Sequence, residues 1–222
     1  MLFIVSTPIG NLEDISLRAL AVLRSADVIL AEDTRRTGQL LAHFKIAHKP
    51  MVSFYEEVEG EKARDLVELA ASSQKVALVC DAGTPLISDP GYKLVREVIS
   101  RGGVAEAIPG PTAAITALTV SGLPPDKFVF LGFLPEKAAH KINLLKCFKA
   151  LIQATSLTFI VYVSVHKIGG DLRAIGDVFG DIEIVVAREL TKVHQEVWRG
   201  KVSEAIIRLG KAKGEVVVLW HI

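Results

Sequence analysis

Short apolar runs rich in β-branched residues alternate along the chain with longer stretches whose apolar positions recur every three or four residues. In the first half the runs fall at 2–6, 27–31, 51–54, 75–80 and 104–108. The helical spacing falls between them, at 17–25, 35–44, 60–71 and 92–100. Strand and helix in repeated alternation predict βαβ units and a mainly parallel sheet covered on both faces. A buried helix is predicted over 111–121, and Gly122, Pro124 and Pro125 then punctuate the chain. A lobe boundary is placed there, giving an N-terminal α/β lobe at 1–121 and a C-terminal α/β lobe at 122–222. In the second half strands are predicted at 128–133, 158–164, 182–188, 195–199 and 215–221, with helices over 137–154, 168–179 and 202–209. The residues between 188 and 195 are too few for a crossover helix, so the second sheet is expected to be mixed.

Composition narrows the class. Half of the 222 residues are hydrophobic, which supplies a real core, and the net charge is +1. An acidic partner must therefore meet a local basic cluster and not the overall field. Cys80 and Cys147 are far apart and form no disulfide framework, which points to a reducing, cytoplasmic setting. No apolar run approaches the roughly 18–20 residues of a membrane span, so no membrane association is expected. The six histidines lack metal-ligand spacing, and no metal is expected.

Chemistry collects at strand ends. "VSTPIGN", "VCDAGTPLISDPG" and "IPGPTAA" each put Gly and Pro directly after a buried strand. In an open parallel sheet those ends share one edge, where ligands bind. Gly allows close approach and Pro fixes the loop beforehand, so the three loops read as rigid walls for a ligand. There is no G-x-G-x-x-G and no G-x-x-x-x-G-K-[ST], which disfavours dinucleotides and nucleoside triphosphates. A fourth cluster, "AEDTRR", offers Asp33, Arg35 and Arg36; Asp33 could equally cap the next helix. "ARELTK" offers Arg188, Glu189 and Lys192. The basic stretch with Lys141 and Lys146 is either a phosphate track or a solvated helix face.

Taken together, "TPIGNLEDISLRAL", "AEDTRRTG", "DAGTPLISDPGY", "PGPTAAITAL", "GFLP" and "ARELTKVHQE" resemble the tetrapyrrole methylase superfamily. Within it they are similar to the ribosomal RNA small subunit methyltransferase I family, the 2′-O-methyltransferases of 16S rRNA. The resemblance implies two α/β lobes, a ligand cleft between them, S-adenosylmethionine as methyl donor with S-adenosylhomocysteine as product, and a homodimer. It implies donor contacts at Pro8, Ile9, Gly10, Asp81, Gly83, Thr84, Pro85, Ile87, Thr112 and Ala113, and at Tyr162, Val163, Ala187 and Arg188. The acceptor would be a cytidine ribose in the decoding region of the small ribosomal subunit.

Removing a proton from a ribose hydroxyl calls for a carboxylate, a lysine or water. Asp33, Glu189 and Lys192 are the candidates, while Arg35, Arg36, Lys141 and Lys146 would meet RNA phosphates. Two other readings are methylation of a porphyrinoid carbon and a non-catalytic module that binds a nucleoside-like ligand.

Overall fold

The computed structural model describes residues 1–55, 68, 74–152, 155–209 and 214–222. The helix expected at 60–71 lies, but for residue 68, outside the described residues. The chain divides into two compact units, Met1–Thr112 and Ala113–Ile222.

The first unit is built on five strands: β1 Leu2–Val5, β2 Val28–Ala31, β3 Met51–Ser53, β4 Val76–Val79 and β5 Ala105–Ile108. Their order is β3-β2-β4-β1-β5, and every pairing is parallel. Alternate residues point to opposite faces of a strand, and both faces are filled. Phe3, Val5, Ile29, Ala31, Ala77 and Val79 pack with Leu20 and Leu23 of helix α1 (Leu17–Ser25) and Leu41 of α2 (Thr34–His43). Leu2, Leu30, Val76 and Leu78 pack with Phe54 and with Leu94 and Val98 of α3 (Tyr92–Ser100). Each such fully buried side chain stabilises the fold by about 1.5–3 kcal/mol. Helix α1 starts where Ser16 accepts the Ala19 N–H at 3.0 Å, which satisfies one of the free donors of its first turn.

The second unit opens with α4 (Ala113–Ser121), which packs on its sheet. The division thus falls nine residues before the boundary read from Gly122, because this helix buries Ala114, Ala117 and Leu118 within the second unit. The sheet runs β6-β7-β10-β8-β9, comprising β6 Phe128–Phe133, β7 Thr158–Val163, β8 Glu183–Arg188, β9 Glu196–Lys201 and β10 Val216–His221. Only β6–β7 is parallel; the other three pairings are antiparallel, so the sheet is mixed. Helices α5 (Ala138–Leu151), α6 (Ile168–Phe179) and α7 (Val202–Leu209) complete the unit. Its core centres on Phe159 stacked on Trp220, with ring centroids 5.1 Å apart, and on Phe179. Among the described residues no helix is long and apolar enough to cross a membrane.

Candidate functional site

Three of the loops singled out from sequence are tied into one body at the carboxyl edge of the first sheet. After β1, the Thr7 N–H donates to the Gly83 carbonyl at 2.8 Å, and the Gly83 N–H donates back to Thr7 at 3.0 Å. The Thr7 hydroxyl donates to the Cys80 carbonyl at 3.1 Å. Thr84 Oγ1 donates to the Pro111 carbonyl at 3.0 Å and lies 2.9 Å from Ser6 Oγ. The single Thr84 proton is then used, so Ser6 is the donor in that second bond. One threonine therefore links the loops after β1, β4 and β5.

Backbone geometry explains the residue types. Gly83 adopts φ +88°, a left-handed conformation natural to glycine. At Gly110 a Cβ would stand 2.8 Å from the Ser6 Cβ, so a side chain cannot be accommodated without movement. Leu86 and Ser88 hold φ of 74° and 66° without being glycine. Such conformations cost about 1–3 kcal/mol each and collect at ligand clamps. Pro8, Ile9 and Pro85 are buried in these loops, while Gly10 and Ile87 are exposed and Thr112 is half-buried. The first-unit residues expected to wall the donor thus occupy one connected loop body.

Charged groups gather where β2 and β4 end. Asp33 caps α2: its Oδ1 accepts the Arg35 N–H at 2.8 Å. The Arg35 guanidinium also donates to both Asp33 oxygens, from Nε at 3.1 Å and Nη2 at 2.8 Å. The helix-cap alternative for Asp33 is the arrangement found. These Arg35 hydrogen bonds hold the Asp33 carboxyl well below the usual carboxylate range.

Asp81 Oδ1 accepts the Asp33 N–H at 3.1 Å, and Arg36 Nη1 lies 3.2 Å from Asp81 Oδ2. The Asp81 N–H in turn donates to Glu32 at 3.2 Å. Below them is Asp89, whose carboxyl is pushed up to about 6 by burial and by the charges of Glu32 and Asp81, against a hydrogen bond from Cys80. Burial and the Asp89 charge likewise push the Cys80 thiol up. A cavity of about 190 Å³ opens beside this cluster, lined by Pro8, Leu12, Leu40, Arg36, Gln39 and Asp81 among others.

Sequence reasoning assigned no role to Glu32, Gln39 or Asp89. The signal was there in part, since Glu32 and Asp89 sit in the two quoted loops. Gln39 lies inside a helix and carried no motif.

In the second unit the Tyr162 hydroxyl accepts the Ala114 N–H at 3.2 Å, and so caps the first turn of α4 beside Ala113. Val163 and Ala187 are buried sheet residues, paired with Val216 and Val217. Arg188 donates to Glu196 at 3.0 Å, and Arg208 donates to the other oxygen of the same carboxylate at 2.5 Å. Glu189 and Lys192 form an ion pair of 3.0 Å, and Glu215 lies 3.3 Å from the same ammonium. The Glu215 N–H, followed by Lys192, holds the Glu189 carboxyl below its ordinary range. Burial pushes the Lys192 ammonium down, but the two carboxylates outweigh it, and its pKa is raised. That is the opposite of the depressed value a lysine base needs.

Lys141 departs from expectation. It is not on a solvated RNA-facing surface but 5% exposed, ion-paired with buried Asp171 of α6. The helical repeat turns position 141 inward, toward Leu145 and Ile142 in the core cluster. It cannot serve as a phosphate contact. Lys146 is exposed on the same helix.

Glycine- and proline-built loops at the carboxyl edge of a five-stranded parallel sheet, with a second mixed sheet of five strands, place the chain in a known class. The family described as Tetrapyrrole (Corrin/Porphyrin) Methylases matches residues 1–206, and the chain belongs to it. Among its sequence relatives, the Ribosomal RNA small subunit methyltransferase I of Thermotoga maritima is 46% identical over 220 residues, covering 98% of this chain and 96% of that protein. The protein of the same name from Vibrio cholerae is 48% identical over 227 residues, covering 100% of this chain and 77% of that one. Two solved structures share the fold. Diphthine synthase has a TM-score of 0.71 at 17% identity, covering 98% of this chain and 88% of that one. Uroporphyrin-III-C-methyltransferase from Thermus thermophilus has a TM-score of 0.65 at 21% identity, covering 98% and 93%.

Proposed function

We propose that this protein is an S-adenosylmethionine-dependent methyltransferase of small-subunit ribosomal RNA, and that its acceptor is the 2′-hydroxyl of a cytidine ribose in the decoding region of 16S rRNA. The observation that carries the reading is the identity of 46% and 48%, over nearly the whole chain, to relatives that bear one enzymatic name. The ribose, the cytidine and the decoding region come from the family resemblance of the motifs.

The first-unit loops suit the donor. Gly110 approaches Ser6 too closely for a side chain, and the Thr84 bonds fix three loops before any ligand arrives. Less entropy is then lost on binding. Pro8, Ile9, Gly10, Asp81, Gly83, Thr84, Pro85, Ile87 and Thr112 would hold the donor. When bound, it supplies an activated methyl on a sulfonium.

The protein's part is to orient the ribose hydroxyl and to stabilise the departing proton. Asp33 and Glu189 are held in their charged forms by hydrogen bonds and bind a proton weakly. They and protonated Lys192 are assigned to fixing charge and position, with the proton passing to solvent. Arg35, Arg36 and Lys146 are proposed phosphate contacts. The working form is proposed to be a cytoplasmic homodimer; closed two-fold pairs are the commonest homo-oligomers, and the two free cysteines suit a reducing compartment.

The test is transfer of labelled methyl from S-adenosylmethionine to unmethylated small subunits or to a porphyrinoid. Label is expected in the rRNA. Label in the porphyrinoid, or none despite donor binding, overturns the reading.

A further inference from the structure

Beyond the donor loops, the first unit holds a cavity that no motif accounts for. It opens between the loop after β1, helix α2 and the start of the loop after β4, and its volume is about 190 Å³. Drug-sized ligands occupy pockets of about 300–1,000 Å³, and a water takes up about 30 Å³. The space suits one ring-sized group and is too small for a whole nucleoside-sulfonium donor.

We infer that this cavity is the subsite for a single nucleobase of the substrate RNA, with a preference for cytosine; this rests on the proposed rRNA methyltransferase activity. Pro8, Leu12 and Leu40 give apolar wall for the faces of a planar ring. Arg36, Asp81 and Gln39 give hydrogen-bonding groups for its edge. Cytosine presents an amine donor next to two acceptors. A carboxylate accepts from that amine, and a guanidinium or amide N–H donates to the neighbouring acceptors. Uracil places an acceptor where the amine would be, facing a carboxylate.

The polar groups are already oriented. Asp81 is held through Oδ1 by the Asp33 N–H at 3.1 Å, and Arg36 Nη1 lies 3.2 Å from its Oδ2. A carboxylate keeps further lone-pair positions for a ligand. Unstacked RNA bases are commonly read on this edge in such pockets.

Two variants test the assignment. Leu40→Trp fills the cavity, and Gln39→Leu removes an exposed edge group with little risk to the fold. Each is combined with labelled S-adenosylmethionine and unmethylated small subunits in single-turnover assays. Donor affinity is measured by calorimetry, and the labelled rRNA is digested to nucleosides. Leu40→Trp is expected to raise the half-saturating subunit concentration about tenfold or more, with donor affinity within about twofold of wild type. Gln39→Leu is expected to spread label from cytidine to other nucleosides.

Wild-type subunit dependence and cytidine selectivity in both variants would overturn the subsite while leaving the activity intact. A parallel loss of donor affinity would also overturn it, by assigning the cavity to the donor's adenine. Absence of label in rRNA with the wild-type protein would remove the activity itself, and the subsite with it.

Discussion

Asp33 grips Arg35 with both carboxylate oxygens, Oδ1 to Nε at 3.1 Å and Oδ2 to Nη2 at 2.8 Å, while Oδ1 also caps helix α2 through the Arg35 N–H. A carboxylate so occupied is a poor proton acceptor. Asp33→Asn keeps the cap, since Asn serves there as well as Asp, but removes the charge. Single-turnover methyl transfer by this variant is expected to stay within about tenfold of wild type. A loss of roughly 10²–10⁴ would instead mark Asp33 as the general base.

Gly83 joins the loops after β1 and β4 at φ +88°. Valine there has room, since the nearest side-chain atom to its Cβ would be Ile9 Cγ2 at 3.5 Å, but it is strained by the backbone itself. Gly83→Val is expected to lose about 1–3 kcal/mol of stability and at least about tenfold in donor affinity, because the carbonyl paired with Thr7 would turn away. Calorimetry giving unchanged affinity in a folded variant contradicts the loop assignment.

Lys141 and Asp171 form an ion pair inside the second unit, at 5% and 4% exposure. Removing one partner leaves a buried charge alone. Lys141→Met is expected to cost about 3–5 kcal/mol in urea denaturation. Adding Asp171→Leu should recover most of that loss, since two apolar residues leave no orphan charge. If Lys141→Met is as stable as wild type and weakens subunit binding instead, the lysine is a surface contact after all.

That pair also marks where reading the sequence stopped. Strand and helix positions were legible because both faces of the first sheet are filled: Leu2–Val5 and Val76–Val79 appear as unbroken apolar runs. Helix α4 was legible as a helix but not as part of the second unit, since its apolar residues do not say which sheet they cover. Lys141 was misplaced because a lysine in a basic stretch looks solvated, and only the helix's rotation against Asp171, 30 residues on, reveals otherwise. The donor loops were legible through Gly and Pro. The Ser6–Thr84–Pro111 link was not, because hydroxyls carry no motif and the bond spans 78 residues.

Asp89 gives the pH dependence. Its folded carboxyl titrates at about 6, above the ordinary 3.8, so the folded state binds the proton more tightly than the unfolded one. Stability is therefore lost as pH rises from about 4 through about 6. Glu32, Cys80 and Asp81 are the groups that face it. Asp89→Asn is expected to gain on the order of 1 kcal/mol at pH 8, after allowing for solvent screening, and nothing at pH 4. Denaturation midpoints that differ equally from wild type at both values would show that Asp89 does not titrate in this way.

The position of the transferred methyl tests the central claim most directly. A 2′-O-methyl group blocks the hydroxyl that attacks the adjoining phosphodiester in alkali, so the labelled residue resists cleavage from its 3′ neighbour. Small subunits labelled by the protein with S-adenosylmethionine should, after alkaline hydrolysis of their 16S rRNA, release the label in a single alkali-stable dinucleotide that begins with cytidine. Label recovered in mononucleotides would place the methyl on a base, and no label in the RNA would deny the activity; either result contradicts the account.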